Sequence, residues 1–537
     1  MTRTAVARSA RTSTSWRRLL VYTHRWLGIV GSLLFVAWFV SGVVLMYVGM
    51  PVLDPDDRLR RLPPLDLSRA AVDVGEAAVT AGFAPTRILV GMLGDRPVFR
   101  FSGGASWTTV YADTGEALTG LDRAEALALA RRFAPGHAAT VSHDGRLTAP
   151  DQWTLQSRAF LPLHRVRLGD AADTVLYISE RTGEPVMRTT RSARRWAYAG
   201  AVPHWLYFTP LRARAGLWTE VVIWAAIAGC LLCLSGLVWG LWRVGAARRY
   251  RLRQGLSRSP YAGWMRWHHY AGLAFGVVTF TWVFSGGLSM EPWSWHPGTA
   301  PTAAQRTLLS GGPLRLGLLT ASQIQAGLSV LAGPRVPREL EVFQFLGVPY
   351  LRAVDPPVDA GDHTLPTTLA PLGSRGPRQR LVSADAPERG VFERFDASVF
   401  EVLSVEAMPG VRVVDAEWLR GYDDYYYDRS GRRRLPIYRV RYDDRDATWL
   451  YFDPFRGAIA RREVRLTRLN RWLYHGLHSL DFSWLYTRRP LWDLVVILLS
   501  LGGLAVSVTP LAQAWRRLRR HGGRIGAGNR PETAEVP

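Results

Sequence analysis

Leu19 to Met50, LLVYTHRWLGIVGSLLFVAWFVSGVVLMYVGM, is apolar over more than the roughly 20 residues a helix needs to cross a hydrocarbon core, and Arg25 is its one charged side chain. The run is too long for a signal-peptide core and lacks a cleavage site, so it reads as a retained helix. Three more stretches share its character, Leu217-Trp242, Met265-Met290 and Leu491-Trp515. Long mixed stretches rich in Pro and Gly separate them. The expected fold is a membrane all-α four-helix transmembrane bundle carrying two α+β domains outside the bilayer.

The formal charge of +23 over 537 residues comes from Arg that cluster beside the apolar runs and not in a nucleic-acid motif, so no nucleic-acid partner is expected. Arg3, Arg8, Arg11, Arg17 and Arg18 precede the first span, seven Arg from Arg243 to Arg266 fill the loop between spans two and three, and Arg516 to Arg524 follow the fourth. Alternating spans put all three segments on one side, and the positive-inside rule makes that side the cytoplasm. The expectation is a multi-pass bacterial inner-membrane protein with both termini cytoplasmic. It divides into 1-18 inside, 19-50 span one, 51-216 a periplasmic domain, 217-242 span two, and 243-264 an Arg-rich inner loop. Then come 265-290 span three, 291-490 a second periplasmic domain, 491-515 span four and 516-537 an inner tail.

In the periplasmic segments, Asp66-Gly82 predicts a helix, and Arg87-Phe101 followed by Trp107-Val110 predicts strands ending in the turn Ala112-Asp113-Thr114-Gly115. Strand-turn-strand units recur at Val175-Val186 and Tyr438-Ala460, while Asp355-Gly390 reads as a long loop. The two cysteines, Cys230 and Cys233, fall inside span two and read as small buried hydrophobes.

The histidines repeat. His24 stands 4 residues before Gly28 and 17 before Ser41-Gly42, and His268 stands 4 before Gly272 and 17 before Ser285-Gly286, with Trp38 and Trp282 each 3 before that Ser. His204 is 14 before Trp218, as His478 is 14 before Trp492. The chain is thus a tandem duplication of span, outer domain, span. A pseudo-two-fold bundle built from it would set His24 against His268 and His204 against His478. Two imidazoles facing across an apolar bundle suit axial ligation of haem iron. His269 and His475 neighbour two of the four and stay open as alternates. Arg25 near one pair, and Arg212 and Arg488 near the other, along with Arg214, Arg266 and Arg489, suit haem propionates. Gly28, Gly31, Ser32, Gly272 and Gly276 leave room for a ring or for close packing. Trp38, Trp224, Trp239 and Trp282 are candidates to bridge the distance between two haems.

His24-Arg25-Trp26-Leu27-Gly28, the two Ser-Gly pairs, and turns of the form Tyr-x-Asp-x-x-x-Gly, clearest at Tyr451 and Asp453 to Gly457, carry a resemblance over nearly the whole chain. The sequence resembles the PepSY-associated transmembrane (PepSY_TM) family, which includes bacterial iron-regulated membrane proteins and ferric-siderophore reductases. The resemblance implies two PepSY-like outer domains and two haems of the b type on His24, His268, His204 and His478. It also implies electron transfer from the cytoplasmic side to Fe(III) held by a siderophore or another periplasmic acceptor, in an oxidoreductase that serves iron acquisition. Homodimerisation through the outer domains is compatible with it. No glycine fingerprint for a nicotinamide or flavin is present, so the donor is a separate cytoplasmic reductase or a membrane quinol. Asp423-Asp424-Tyr425-Tyr426-Tyr427-Asp428 is a candidate chelate or metal contact, though such a run is more often an exposed loop. Two rival readings are a haem-free membrane anchor whose domains regulate periplasmic proteins, and a metal-chelate transporter on the same repeat.

Overall fold

The computed structural model describes residues 3-104, 106-244, 250-252, 255-333, 335-355, 378-429 and 432-527. The chain forms two compact units. The helical unit takes Met1–Met46, Ala199–His296 and Leu469–Pro537, and the sheet-bearing unit takes Tyr47–Tyr198 and Pro297–Arg468.

In the helical unit four helices are long and apolar enough to cross a bilayer, Ser15–Leu45, Ala215–Arg243, Trp264–Leu288 and Leu491–Arg516, at the four places the hydropathy marks. They pack in a ring, one on two, two on three, three on four and four on one. Small residues set the approach. A Cβ on Gly31 would lie 3.1 Å from Leu232 and one on Gly276 would lie 2.8 Å from Leu237, so these glycines serve close packing on span two. Gly229 of span two faces Val283 and Phe35, and Gly503 of span four faces Phe39 in the same way. Phe35, Phe39, Leu232 and Val283 are buried in the middle of the bundle, with Trp38, Cys230, Cys233 and Trp282 against them, and both cysteines are free thiols.

In the sheet-bearing unit the first segment supplies β1 (Arg87–Leu93), β2 (Arg96–Gly103), β3 (Ser106–Tyr111), β4 (Ser142–Leu147), β5 (Leu163–Arg167), β6 (Val175–Ser179) and β7 (Pro185–Thr189). The helical unit holds a hairpin of β8 (Tyr250–Leu252) and β9 (Gly255–Ser257). The second segment then supplies β10 (Leu340–Phe345), β11 (Val348–Asp355), β12 (Arg378–Ser383), β13 (Val413–Leu419), β14 (Ile437–Tyr442), β15 (Trp449–Asp453) and β16 (Ala458–Glu463). Each segment keeps a four-stranded sheet of its own, β4-β5-β6-β7 and β13-β14-β15-β16. Their other strands merge into one sheet of order β12-β11-β10-β1-β2-β3, in which β1 and β10 pair antiparallel with Ile88 opposite Val342 and Val90 opposite Leu340.

That order is symmetric about the β10/β1 pair, so the duplication seen in the sequence extends to the sheets. Pairing the two edges removes the exposed N–H and C=O rows that each half would otherwise present. It also builds one core from both segments, with Ile88, Val90, Phe99 and Phe101 packed among Ile324, Leu340, Val342 and Leu351. The outer segments therefore share a sheet and a core where the sequence suggests two separate domains.

Two boundaries move. The helix expected over Asp66-Gly82 is confined to Val74–Ala81, because Asp66 accepts the Ser68 N–H in a turn and Gly82 ends the helix at φ 79°. Within the expected loop Asp355-Gly390, residues 378-383 form β12, and 356-377 lie outside the described residues.

Arg100 on β2 is 1% exposed, and its guanidinium donates to the Thr182 and Met92 carbonyls at 2.8 and 3.0 Å and lies 3.0 Å from the Glu184 carboxylate. Removing one member of a buried pair leaves the other uncompensated at about 3-5 kcal/mol. Arg58 also binds Glu184 at 2.7 Å. Arg100→Ala is therefore expected at the low end, about 3 kcal/mol, read as a lower unfolding midpoint of the detergent-solubilised chain.

Candidate functional site

Each end of the bundle gathers one pair of imidazoles. His24 of span one and His268 of span three face each other with ring centres 6.1 Å apart and planes at 38°. His204 and His478, which stand just before spans two and four, face each other with ring centres also 6.1 Å apart and planes at 61°. Both juxtapositions are those the repeat anticipates.

What brings His204 and His478 to the bundle is a local device present in both halves. The second residue after each, Leu206 and Leu480, adopts a left-handed backbone with φ 52° and 49°. Trp218 and Trp492 then each donate the indole N–H, at 2.9 Å, to the carbonyl of the residue following that His. The chain is bent back so that the ring, and not the backbone, meets the neighbouring spans.

All four imidazoles are held in one way. Nδ1 of His24 lies 3.1 Å from the Leu232 carbonyl and 3.5 Å from Ser235 Oγ, and Nδ1 of His204 lies 3.2 Å from the Trp38 carbonyl and 3.3 Å from Ser41 Oγ. Nδ1 of His268 lies 3.0 Å from the Val506 carbonyl and 3.2 Å from Thr509 Oγ1, and Nδ1 of His478 lies 3.1 Å from the Trp282 carbonyl and 3.2 Å from Ser285 Oγ. A carbonyl only accepts, so Nδ1 carries the proton and donates. Nε2 is then left as a bare lone pair, the tautomer a metal-ligating imidazole needs.

The holding element is a clasp of five helical residues, a carbonyl at the first position, Ser or Thr at the fourth and Gly or Pro at the fifth. The hydroxyls of Ser41, Ser235 and Ser285 donate to that same carbonyl, and that of Thr509 lies 3.2 Å from it with a shorter bond, 2.8 Å, to the Ala505 carbonyl. The glycine has a steric reason. A Cβ on Gly42 or Gly286 would stand 3.1 or 3.3 Å from Cε1 of His204 or His478, and one on Gly236 would overlap Cε1 of His24. Spans one and three clasp the His204/His478 pair, and spans two and four clasp the His24/His268 pair, which itself sits on spans one and three and so engages all four helices.

This arrangement fits axial ligation. A metal binds imidazole nitrogen at about 2.0-2.1 Å, and two such bonds in line, with roughly another ångström from each nitrogen to its ring centre, put ring centres about 6 Å apart. Among the described residues no group of three or more His, Cys, Asp or Glu is gathered for a bare cation. Ser285→Ala removes one acceptor from the His478 clasp and keeps the carbonyl. Were a haem held at that pair, the change would be expected to weaken its retention about tenfold, the mild end of such supporting changes, measured by haem transfer to apomyoglobin.

The alternates sit differently. His269 is committed at both nitrogens, to Ser259 Oγ at 2.8 Å and the Gly240 carbonyl at 2.9 Å. His475 lies in a π-helical turn, Arg471–Gly476, with its ring 4.3 Å from that of Tyr474. Arg212 lies 4.5 Å from the Trp218 ring centre and its Nε is buried with no hydrogen-bond partner among the described residues, which suits a carboxylate. Arg25 lies 5.9 Å from the Trp26 ring centre, Arg488 is exposed, and Arg489 is engaged by Asp493 at 2.7 Å. Of the four Trp, Trp224 is 62% exposed on the bundle surface and Trp239 donates to Tyr261, whereas Trp282 packs on Phe39 in the centre with its indole N–H buried and without a partner among the described residues.

In the sheet-bearing unit the acidic-aromatic run is spent internally. Asp423 accepts from Arg439, Tyr451 and the Tyr425 and Tyr426 amides, and Asp428 accepts from the Arg432 and Arg433 amides.

Half of the clasps escape the sequence reading. Ser41-Gly42 and Ser285-Gly286 stand out as a pair, but Ser235-Gly236 and Thr509-Pro510 do not, because Pro replaces Gly. The signal was present: both stand 17 and 18 residues after Trp218 and Trp492 respectively, the same register that relates His204 to His478. No family model matches the chain, and no curated protein matches it.

Proposed function

We propose that the chain is a dihaem electron carrier of the bacterial inner membrane that reduces ferric chelates in the periplasm. The observation that carries the reading is the pair of facing imidazoles at each end of the bundle, at ligand spacing, with every Nδ1 tied to a carbonyl. His24 and His268 hold one haem b, and His204 and His478 hold the other. Bound haem supplies one-electron exchange at iron.

The residues of this chain do the rest. Each clasp fixes the tautomer and the ring plane, so that no imidazole has to reorganise when charge arrives. The apolar middle of the bundle, Phe35, Phe39, Leu232 and Val283, excludes water between the pairs. The two pairs are separated by about 17 helical residues, on the order of 25 Å along the helix axis. Arg212 holds a propionate at the His204/His478 end. With the Arg-rich ends of the spans in the cytoplasm, the His24/His268 pair would hold the haem nearer a cytoplasmic reductase or a membrane quinol, the donor in this reading. The sheet-bearing unit, in this reading periplasmic and PepSY-like, would supply the acceptor surface. Reduction of Fe(III) weakens its hold on hard oxygen donors and releases the metal from a siderophore.

The test is the absorbance spectrum of the purified protein with its haem stoichiometry. The expected result is a low-spin bis-histidine spectrum that changes on dithionite, with two haems per chain. A colourless preparation from haem-replete cells would sink the reading and leave the anchor or the chelate transporter. The reduced protein, offered a panel of ferric chelates, should be discharged rapidly by the chelate it serves.

A further inference from the structure

Three of the four clasps end in glycine, and the fourth, which holds His268, ends in Pro510. In an α-helix the carbonyl of one residue is occupied by the N–H four residues on. Gly42, Gly236 and Gly286 stand four after Trp38, Leu232 and Trp282 and can supply that N–H. Pro510 stands four after Val506 inside the span-four helix and has no N–H to supply. The Val506 carbonyl is reached by His268 Nδ1 at 3.0 Å and by the Thr509 hydroxyl at 3.2 Å, a hydroxyl whose shorter bond, 2.8 Å, goes to the Ala505 carbonyl. The carbonyls that hold His24, His204 and His478 stand in line for a helix amide besides the imidazole and a Ser hydroxyl, and that of Val506 has no amide to meet.

The difference bears on the ligand chemistry. An acceptor with one competing donor fewer draws the Nδ1 proton more strongly and leaves more electron density on Nε2. A more basic axial ligand favours ferric over ferrous iron and lowers the reduction potential. We infer that Pro510 is a positioning residue that frees the Val506 carbonyl for His268 and thereby lowers the potential of the haem held by His24 and His268. This rests on the haem reading above. Its consequence is a bias outward: the haem nearer the Arg-rich ends is made the readier donor to the one held by His204 and His478.

The experiment is a spectroelectrochemical titration of the full-length holoprotein in nanodiscs, for wild type, Pro510→Gly and Pro510→Ala. Pro510→Gly gives the fourth clasp the ending that the other three have, and Pro510→Ala restores the N–H with good helix propensity. The wave of the His24/His268 haem is identified by its absence from His24→Ala. In either variant that wave should move to higher potential by up to a tenfold change in the reduction equilibrium, about 59 mV for one electron. The wave of the other haem should stay in place. A proline that served only to kink the helix would change haem occupancy or stability without moving the potential of the haem retained. Full haem content with both waves at wild-type positions overturns the inference, as does loss of the His24/His268 haem from both variants. Wild-type protein without haem fails the reading beneath it instead.

Discussion

His478→Ala should leave one haem per chain where the wild type holds two, and His24→Ala should do the same at the other end. Each deletion removes one of two axial ligands and leaves the partner imidazole clasped but alone. The His204/His478 and His24/His268 pairs share no residue, so the losses should add, and the double variant should be colourless. The neighbouring histidines give the contrast. His269→Ala breaks hydrogen bonds to Ser259 and Gly240, and His475→Ala disturbs a ring contact with Tyr474, yet both variants should keep two haems. Pyridine haemochromogen assay against protein concentration reads all five proteins directly. A His478→Ala protein that still binds two haems, or a His475→Ala protein that binds one, would reassign the ligand.

Gly236→Ala should abolish the His24/His268 haem without touching a ligand. The new methyl group would occupy the space of His24 Cε1, and the atom it meets belongs to a ring already fixed by the Leu232 carbonyl. His24 must leave its clasp, and affinity at that pair should fall by 10-100-fold or more. The effect should grade with the space available. Gly42→Ala and Gly286→Ala place a Cβ 3.1 and 3.3 Å from His204 and His478, where a shift of a few tenths of an ångström relieves the contact, and should weaken the other haem less. Gly272→Ala meets no heavy atom within 4 Å and should bind both haems normally. Equal loss in Gly236→Ala and Gly272→Ala would show that helix glycines matter here for some reason other than room for the imidazole.

The clasps explain which parts of the site could be read in advance. The facing histidines are costly polar letters at the edges of apolar runs, and a duplicated chain writes each of them twice, so register alone singles out His24, His268, His204 and His478. Ser41-Gly42 and Ser285-Gly286 appear by the same comparison, although nothing in one dimension says that they hold His204 and His478, which lie more than a hundred residues further along. The strongest contact to each imidazole comes from a backbone carbonyl, of Trp38, Leu232, Trp282 or Val506. A carbonyl is carried by every residue, so no side-chain letter marks it. Trp38 and Trp282 draw notice as aromatic rings, and it is their carbonyls that hold the imidazoles.

Hydropathy determined the four spans, because a bilayer crossing is a property of one contiguous segment whose backbone bonds close within itself. Duplication determined which histidines matter and that they come in pairs. The tertiary structure alone decided that span two holds His24 and span one holds His204, since that follows from which helices are neighbours in the ring. It alone decided that β1 of one half and β10 of the other pair as a single sheet, with one core beneath them. Both outcomes join residues about 160 to 250 positions apart, as His204 with Ser41 and Ile88 with Val342. The alternating pattern of a strand names its buried face but not the edge it will meet.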